Sequence, residues 1–563
     1  MNSSTPLKFI LTASIALVSS AAFAEDTIVA HPIGLLDKKT YAGNNDQSNF
    51  YFTRGPVKKQ ESSKLLFTAK VKTAKNGDEQ YGLFVQNIDK FTDQGYVGFS
   101  DINSDAPIKK LATYTFKSGF VGPKFDGFFY ADNGLSEGRT RHYPRIYFHI
   151  PGKGLYVTEG GGAPKIIRPE SAKDIAGTKV IFGAVRLPEY APDGPDIELQ
   201  SRIFFAAKDA SKGREVFISS GSAATTKILE DIYTAKKVGS EPDQFCTAGP
   251  GNESQRVYFS AKNPNDGDSY QLWAIGNPTV VKKKTVYDAI PVTTGASALP
   301  GKPENLIGNG FDVFFTCPLS AGGTPVLWHM NADGTGLESY PNALDPQNLT
   351  LPTKSPNFSF LTFSAVENGV RYFARWSSGL GSGATVTLLK TVPGDAAVTY
   401  NPQKITNAGN NYNYFAGTYA GDNAVYLIKH GTAGANDLQT VIVGGVYPKN
   451  IGEICSVIRY DQFGEPIGSG GVVYFTGDLA GVGNDILMKI DADGTTAAAS
   501  VVTNTNGLPI VHARNLHAVA SQDGPGFDRL YFTAPINSDV NGSYIPQGST
   551  ITDFGTKPWV VGE

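Results

Sequence analysis

Apolar residues in this chain come in short bursts separated by stretches rich in Gly, Asp, Asn and Ser, and one paired burst keeps returning. Arg202-Ile-Phe-Phe-Ala-Ala-Lys208 precedes Arg214-Glu-Val-Phe-Ile218, Arg256-Val-Tyr-Phe-Ser-Ala261 precedes Gln271-Leu-Trp-Ala-Ile275, and Val472-Val-Tyr-Phe-Thr476 precedes Asp485-Ile-Leu-Met-Lys489. Each pair reads as an antiparallel hairpin with an aromatic residue at the centre of its first strand. Aligning on that aromatic sets anchors at Phe67, Phe129, Phe205, Phe259, Phe315, Phe373, Phe415, Phe475 and Phe532. The partners on the following strand are Phe84, Phe148, Phe217, Trp273, Trp328, Leu388, Tyr426, Leu487 and Trp559. Most intervals lie near about 57 residues, room for four short strands and their turns. The interval from Phe373 to Phe415 is only about 42 residues, which predicts that two units share one blade.

A unit this small cannot bury its own faces and must stack on its neighbours. Both alternating faces of Ile203-Phe-Phe-Ala206 are apolar, as a strand between two neighbouring sheets requires. The expected fold is therefore all-β: a single β-propeller of four-stranded antiparallel blades from residue 25 to residue 563. Eight blades is the central expectation, with seven and nine as its neighbours. Thr27 to Ile33 is expected to supply the outermost strand of the last blade. Lys227-Ile-Leu-Glu-Asp-Ile232 is expected to be an outer strand rather than a helix.

The unit from Phe205 to Ile232 resembles a repeat of exported bacterial propellers, in which a Tyr-Phe-x-Ala strand leads to Glu-Leu-Trp-x-x-Asp-Gly-Thr and then a Val-Lys-Asp-Ile-like strand. The matching residues are Phe204-Phe-Ala-Ala207, Gly213-Arg-Glu215, Val216-Phe217, Ser220-Gly221 and Leu229-Glu-Asp-Ile232. Trp328-His-Met-Asn-Ala-Asp-Gly-Thr335 and Ile490-Asp-Ala-Asp-Gly-Thr495 are similar to the strand-to-turn segment of TolB-like repeats. The resemblance implies a fold, and no catalytic residue comes with it.

Composition narrows the class further. Lys8, the apolar run from Phe9 to Val18 and Ala22-Phe23-Ala24 form a signal-peptide pattern over residues 1–24, so a periplasmic or secreted location is expected. No cysteine follows that run and no later apolar stretch is long enough to span a bilayer, so no membrane anchor is expected. The formal net charge is -3, without long blocks of either sign, which removes the electrostatic footprint of nucleic-acid binding. Three cysteines (Cys246, Cys317, Cys455) sit in apolar runs and read as small buried hydrophobes, one disulfide plus a free thiol being the alternative. Abundant Gly (63) and Phe (33) with Tyr (26) fit short strands joined by tight turns. The chain is expected to be a monomer.

Catalytic signatures such as Gly-x-Ser-x-Gly, a phosphate loop or His-Glu-x-x-His do not occur. The best local constellation is Arg141-His-Tyr-Pro-Arg-Ile-Tyr-Phe-His-Ile150. Strand alternation puts Arg145, Tyr147 and His149 on one face and Ile146, Phe148 and Ile150 on the other. A guanidinium beside a phenol and an imidazole suits an acidic sugar, Arg neutralising the carboxylate and His or Tyr moving a proton. Arg145, Tyr147 and His149 are thus the catalytic candidates, with Arg141 and His142 as substrate-binding neighbours. Trp376, before the Gly/Ser-rich 377–383 stretch, is a candidate for stacking on a sugar, the alternative being a ring packed between blades.

Asn537, Asp539 and Asn541 imitate the start of a calcium loop without its closing Glu, which makes them candidates for a structural Ca²⁺. Asn263-Pro-Asn265-Asp-Gly-Asp268 and Asp101-Ile-Asn103-Ser-Asp105 share that chemistry, and also the chemistry of tight turns. No cofactor is required. His512 and His517 fall on opposite strand faces and do not form a metal pair. Two functions follow: a binding scaffold for a partner protein or polysaccharide, or a lyase acting on uronate-containing glycans.

Overall fold

The computed structural model describes residues 29–32, 50–53, 64–87, 91–92, 95–96, 109–120, 124–133, 143–159, 161–170, 182–189, 198–234, 238–249, 256–275, 279–281, 284–308, 310–351, 360–379, 383–389, 401–407, 412–418, 424–431, 438–457, 472–491, 497–504, 507–519, 529–535 and 556–562. Among them are strands and short 3₁₀ turns, and no α-helix. No helix there is long and apolar enough to cross a membrane.

The strands form small antiparallel sheets in chain order. The first unit comprises Phe50–Thr53, Lys64–Thr73, Glu79–Asn87 and Lys109–Phe116; the second Asp126–Asn133, Tyr143–Ile150, Gly154–Thr158 and Lys165–Pro169. The third comprises Phe182–Glu189, Glu198–Asp209, Gly213–Ser219 and Lys227–Ile228; the fourth Asp243–Ala248, Arg256–Asn263, Ser269–Ile275 and Ala289–Pro291. A seven-stranded sheet follows: Glu304–Gly308, Asp312–Pro318, Pro325–Asn331, Glu338–Thr350, Phe360–Glu367, Val370–Gly379 and Gly383–Leu389. Its long strand Glu338–Thr350 ends the fifth unit and begins the sixth, with bulges marking the change.

The seventh unit holds Gln403–Asn407, Tyr412–Thr418, Val425–Gly431 and Leu438–Thr440; the eighth Ile454–Val457, Val472–Leu479, Gly483–Asp491 and Ala498–Val501. The ninth has Arg514–Val519, Arg529–Pro535 and Thr556–Gly562, and Val29–Pro32 from the other end of the chain pairs antiparallel with Thr556–Gly562 as its outer strand. Lys227–Ile228 is likewise an outer strand, paired with Gly213–Ser219. Counting the seven-stranded sheet as two, the described strands fall into nine sheet units.

Two anchors were out of register. Phe129 lies on the first strand of its unit, the second strand being Tyr143–Ile150, and Phe148 belongs to that second strand. Phe373 lies on a third strand; Phe363 on Phe360–Glu367 takes the anchor position, and Leu388 sits on the fourth strand. The short interval is explained by this slip. Asn368-Gly369 joins the two strands, with Glu367 opposite Val370 and both turn residues left-handed (φ 50 and 78), a hairpin signal readable in the sequence.

Packing follows the two-sided apolar strands. Ile203, Phe205 and Ala207 join Tyr147 and Leu155 of the second unit, while Phe204 and Ala206 join Val257 and Phe259 of the fourth. Phe205, Phe259, Phe315 and Phe475 are fully buried and each faces the preceding unit. Ring pairs bind the hairpins: Phe67 on Phe84, Phe205 on Phe217, Phe259 on Trp273 and Phe315 on Trp328 are stacked. Burying one such Phe contributes on the order of 2–3 kcal/mol.

Entry into the first strand of a unit repeatedly uses left-handed residues three apart: Glu241 and Gln244, Asp345 and Asn348, His512 and Asn515. Bulges sit beside them at Asp243/Cys246, Gln347/Thr350 and Arg514/His517. Because the strain recurs from unit to unit, it belongs to the repeat rather than to one reactive centre.

Candidate functional site

Strand Tyr143–Ile150 follows the alternation read from the sequence: Ile146, Phe148 and Ile150 pack on the first unit, and Tyr147 on the third. The opposite row is strung out rather than gathered. Arg145 and His149 are four residues apart on an extended strand, about 13 Å, too far to meet at one reacting atom.

Each member of the row is engaged in a different contact. Arg145 donates through Nη1 to the Ser220 carbonyl of the third unit at 2.7 Å and through Nε to Glu159 Oε1 at 3.3 Å. Tyr147 is 1% exposed, and burial pushes its phenol up, with Arg145 pulling in the other direction. His149 is 2% exposed and pairs through Nε2 with Glu170 Oε2 at 2.6 Å; Gly152 N–H donates to the same oxygen. The imidazole borders a small recess with Leu155, Arg168, Phe205 and Ala207. The structure therefore does not present Tyr147 or His149 to solvent.

The reason for Arg145 and Tyr147 is visible two units further on. Arg256 Nη1 donates to the Asp333 carbonyl at 2.7 Å, and Tyr258 Oη donates to the Ala332 carbonyl at 2.7 Å. Both pairs close on a left-handed glycine of the next unit's turn. A Cβ on Gly221 would lie 2.7 Å from Arg145 Nη1 and 2.8 Å from Tyr147 Oη; on Gly334 it would lie 3.7 Å from Arg256 Nη1 and 4.0 Å from Tyr258 Oη. Both glycines have φ near 90. Arg-x-Tyr followed by Phe is thus a clamp of the repeat.

His149 does not share that explanation. The residue after the central Phe is Ala206, Ser260, Thr316, Ser364, Ala416, Thr476 and Thr533 in other units. The His149–Glu170 pair is the feature peculiar to the second unit, and Glu170 was not among the residues singled out from the sequence.

A second recurring position fastens the third strand to the next unit's entry in the third, fourth and eighth units. Glu215 is fully buried, accepts from Ser240 N–H at 2.8 Å and Ser240 Oγ at 2.6 Å, and burial raises its carboxyl to about 7 against those hydrogen bonds. Gln271 does the same work without charge, its Oε1 accepting from Leu299 N–H and Thr293 Oγ1 at 2.8 Å. Asp485 accepts from Arg514 at 2.6 Å and lies 3.4 Å from His512 Nδ1; the His512 bond and the Arg514 bond hold it well below the usual carboxylate range although burial opposes them.

Side chains also run from entry to entry around the inner strands. Gln244 accepts from Asn305 N–H, Asn348 donates to the Pro402 carbonyl, Lys404 donates to the Gly452 carbonyl, and Glu453 accepts from Asn515 and Leu516 N–H. Sequence reading missed this belt. Its signal is the polar residue at the first-strand bulges of the fourth to seventh and ninth units: Gln244, Asn305, Asn348, Lys404 and Asn515.

Trp376 is fully buried between the fifth and sixth units, with ring contacts to Phe314 and His329 at 4.7 Å. A buried ring offers no face to a sugar, which corrects its assignment as a stacking platform. The Asn263 to Asp268 loop is a turn: Asp266 accepts from Thr294 Oγ1 and Gly295 N–H, and Asn263 from Asn265 N–H. Arg141, His142, Asn537, Asp539, Asn541 and the 101–105 loop lie outside the described residues. Among the described residues no group of three or more His, Cys, Asp or Glu side chains is arranged to hold a metal ion. No disulfide joins Cys246, Cys317 and Cys455, and burial raises the Cys246 and Cys317 thiols to about 12 and about 11.

No family model matches the chain, and no curated protein matches it by sequence. Among solved structures it is similar to Chaetomium thermophilum Sqt1, with 12% identity over 84% of this chain and 99% of that one and a TM-score of 0.36. It is also similar to an oligogalacturonate lyase in complex with manganese (7% identity, 78% and 97% covered, TM-score 0.31). A third is the GH74 xyloglucanase from Xanthomonas campestris (10% identity, 89% of each chain, TM-score 0.26). At these scores the likenesses carry no argument about activity.

Proposed function

We propose that the nine units close into a single β-propeller over residues 25–563, exported to the periplasm or medium after loss of residues 1–24, and that it works as a monomeric binding scaffold for a partner protein or an envelope or extracellular polysaccharide. Closure is supported by the entry strands, each lying against the following unit, and by Arg514–Val519 of the ninth lying against Phe50–Thr53 of the first. The scaffold reading is carried by one observation: the residues best suited to chemistry are used in packing, Tyr147 and His149 being 1% and 2% exposed.

A second reading, a lyase on acidic glycans, keeps support from His149, which departs from the small residues of its repeat position and whose Nδ1 has no hydrogen-bond partner among the described residues. In that reaction a neutral base removes the proton beside the uronate carboxylate, which requires contact at about 3 Å. Purified protein incubated with uronate-containing polysaccharides separates the two. The scaffold reading expects no absorbance from unsaturated ends. Unsaturated ends formed by wild type and lost in His149→Ala or Tyr147→Phe overturn it.

A further inference from the structure

We propose that the rim where the outer strands of the first three units begin is a docking surface for a linear acidic polysaccharide. The proposal rests on the scaffold reading above and names its ligand class.

Each of these outer strands opens on exposed lysine: Lys109 and Lys110 in the first unit, Lys165 in the second and Lys227 in the third. The cations are joined into one arc by contacts between units. Lys109 Nζ donates to the Gly161 carbonyl at 3.3 Å, in the turn that leads to Lys165. Arg145 Nη1 donates to the Ser220 carbonyl, in the turn that leads to Lys227. The only carboxylate among the described residues of those two turns and strand starts is Glu159, on Arg145.

The turns between the lysines are small and neutral. Their described residues read Gly161-Gly-Ala-Pro164 and Ser220-Gly-Ser-Ala-Ala-Thr-Thr226. A Cβ added to Gly161 or Gly162 would meet nothing within 4 Å, and Ser222 to Thr225 are exposed. A chain can therefore lie close to the backbone between charges. The fifth unit shows that this is not a demand of the repeat: its turn carries Asp333, and its outer strand opens on Glu338.

A single carboxylate in water gains little from one exposed lysine. A polymer with a carboxylate at every residue engages the row together, so its affinity grows with the number of simultaneous contacts and falls with salt. Saccharide fits better than nucleic acid because among the described residues the arc offers no exposed aromatic ring for base stacking, its exposed apolar residue there being Ile166.

The test is binding of the full mature chain to immobilised polygalacturonate across a salt series, with dextran, galacturonate monomer, single-stranded DNA and anionic phosphatidylserine vesicles as comparators. Wild type is expected to bind polygalacturonate, more weakly as salt rises, and to ignore dextran and the monomer. Lys109→Gln/Lys110→Gln/Lys165→Gln/Lys227→Gln is expected to lower that affinity about tenfold or more, with a shallower salt dependence. Lys75→Gln/Lys208→Gln, at exposed positions at the other end of the strands, is expected to leave it unchanged.

Polygalacturonate binding that survives in the quadruple variant, or is lost equally in the control, overturns the rim assignment and leaves the scaffold reading standing. Absence of binding by wild type overturns the polysaccharide arm of that reading together with the rim. Tighter binding to DNA or to vesicles overturns the choice of saccharide.

Discussion

The seam between the second and third units and the seam between the fourth and fifth are built from the same parts and differ in how tightly they close. In both, an arginine and a tyrosine two residues apart reach across to the turn that follows the next unit's third strand. At the first seam the guanidinium and phenol crowd Gly221; at the second they stand back from Gly334 by about an ångström more. Seen alone, Arg145 and Tyr147 look like a reactive constellation. Beside Arg256 and Tyr258 they are a fastening, and only His149 is left without a counterpart.

The largest effect expected from disturbing either seam comes from its aromatic core. Phe205→Ala and Phe315→Ala should each lower unfolding stability by about 3–5 kcal/mol in urea titration. A mild effect at one and a large effect at the other would show that the two seams are not equivalent.

The latch from the third unit to the fourth and the latch from the fourth to the fifth differ in charge. Glu215 holds its carboxyl near 7 in the folded protein against 4.5 for the free group, so the folded state binds the extra proton. Its contribution is full below about pH 4.5 and is lost as pH rises through about 7, roughly 3 kcal/mol over the window. Glu215→Gln should flatten that slope in stability measured from pH 4.5 to 8, whereas Gln271→Ala should lower stability evenly across it. A wild-type stability that rises over the same interval together with an unchanged slope in Glu215→Gln would reverse the assignment.

Glycine substitution sharpens the difference in closure. Both turn glycines are left-handed, so alanine costs about 1 kcal/mol at either from backbone strain alone. Gly221→Ala adds overlap with Arg145 and Tyr147, for a total of about 2–3 kcal/mol, while Gly334→Ala adds none. Thermal unfolding of the two variants measures the gap, and equal shifts would contradict it.

Much of this architecture was legible because the repeat writes itself in side-chain size. Phe at strand centres marked seven of the nine second strands, and the expectation of a closed ring placed an outer strand within Thr27 to Ile33, where Val29–Pro32 pairs with Thr556–Gly562. The register failed where two adjacent strands were equally apolar. Phe363 and Phe373 both fit the anchor, and the Asn368-Gly369 turn that distinguishes them was passed over. The chemistry was less legible for a physical reason: alternation tells which face a residue takes, and in a stacked sheet both faces are buried. Trp376 and Tyr147 read as surface groups only if one face is wet. The recurrence of Arg-x-Tyr-Phe at Arg145, Arg256 and Arg529 was the available warning, since a motif that returns at the same position in three units serves the repeat. Glu170 could not be found from sequence, because it meets His149 only after three strands have paired.

Smaller still is the effect of a single phenol. Tyr258→Phe leaves the buried Ala332 carbonyl without its donor and should cost about 1–2 kcal/mol. An unaffected unfolding midpoint would remove the tyrosine from the clamp.

The claim that Arg145 fastens a seam is tested most directly by measuring urea unfolding of Arg145→Met beside Arg256→Met. Methionine keeps much of the stem and removes the bond to the neighbouring turn, so both variants should lose about 1 kcal/mol, to similar extents. Loss in Arg256→Met with an unchanged midpoint in Arg145→Met would contradict the account, because a guanidinium that contributes nothing to the seam is one held there for a ligand.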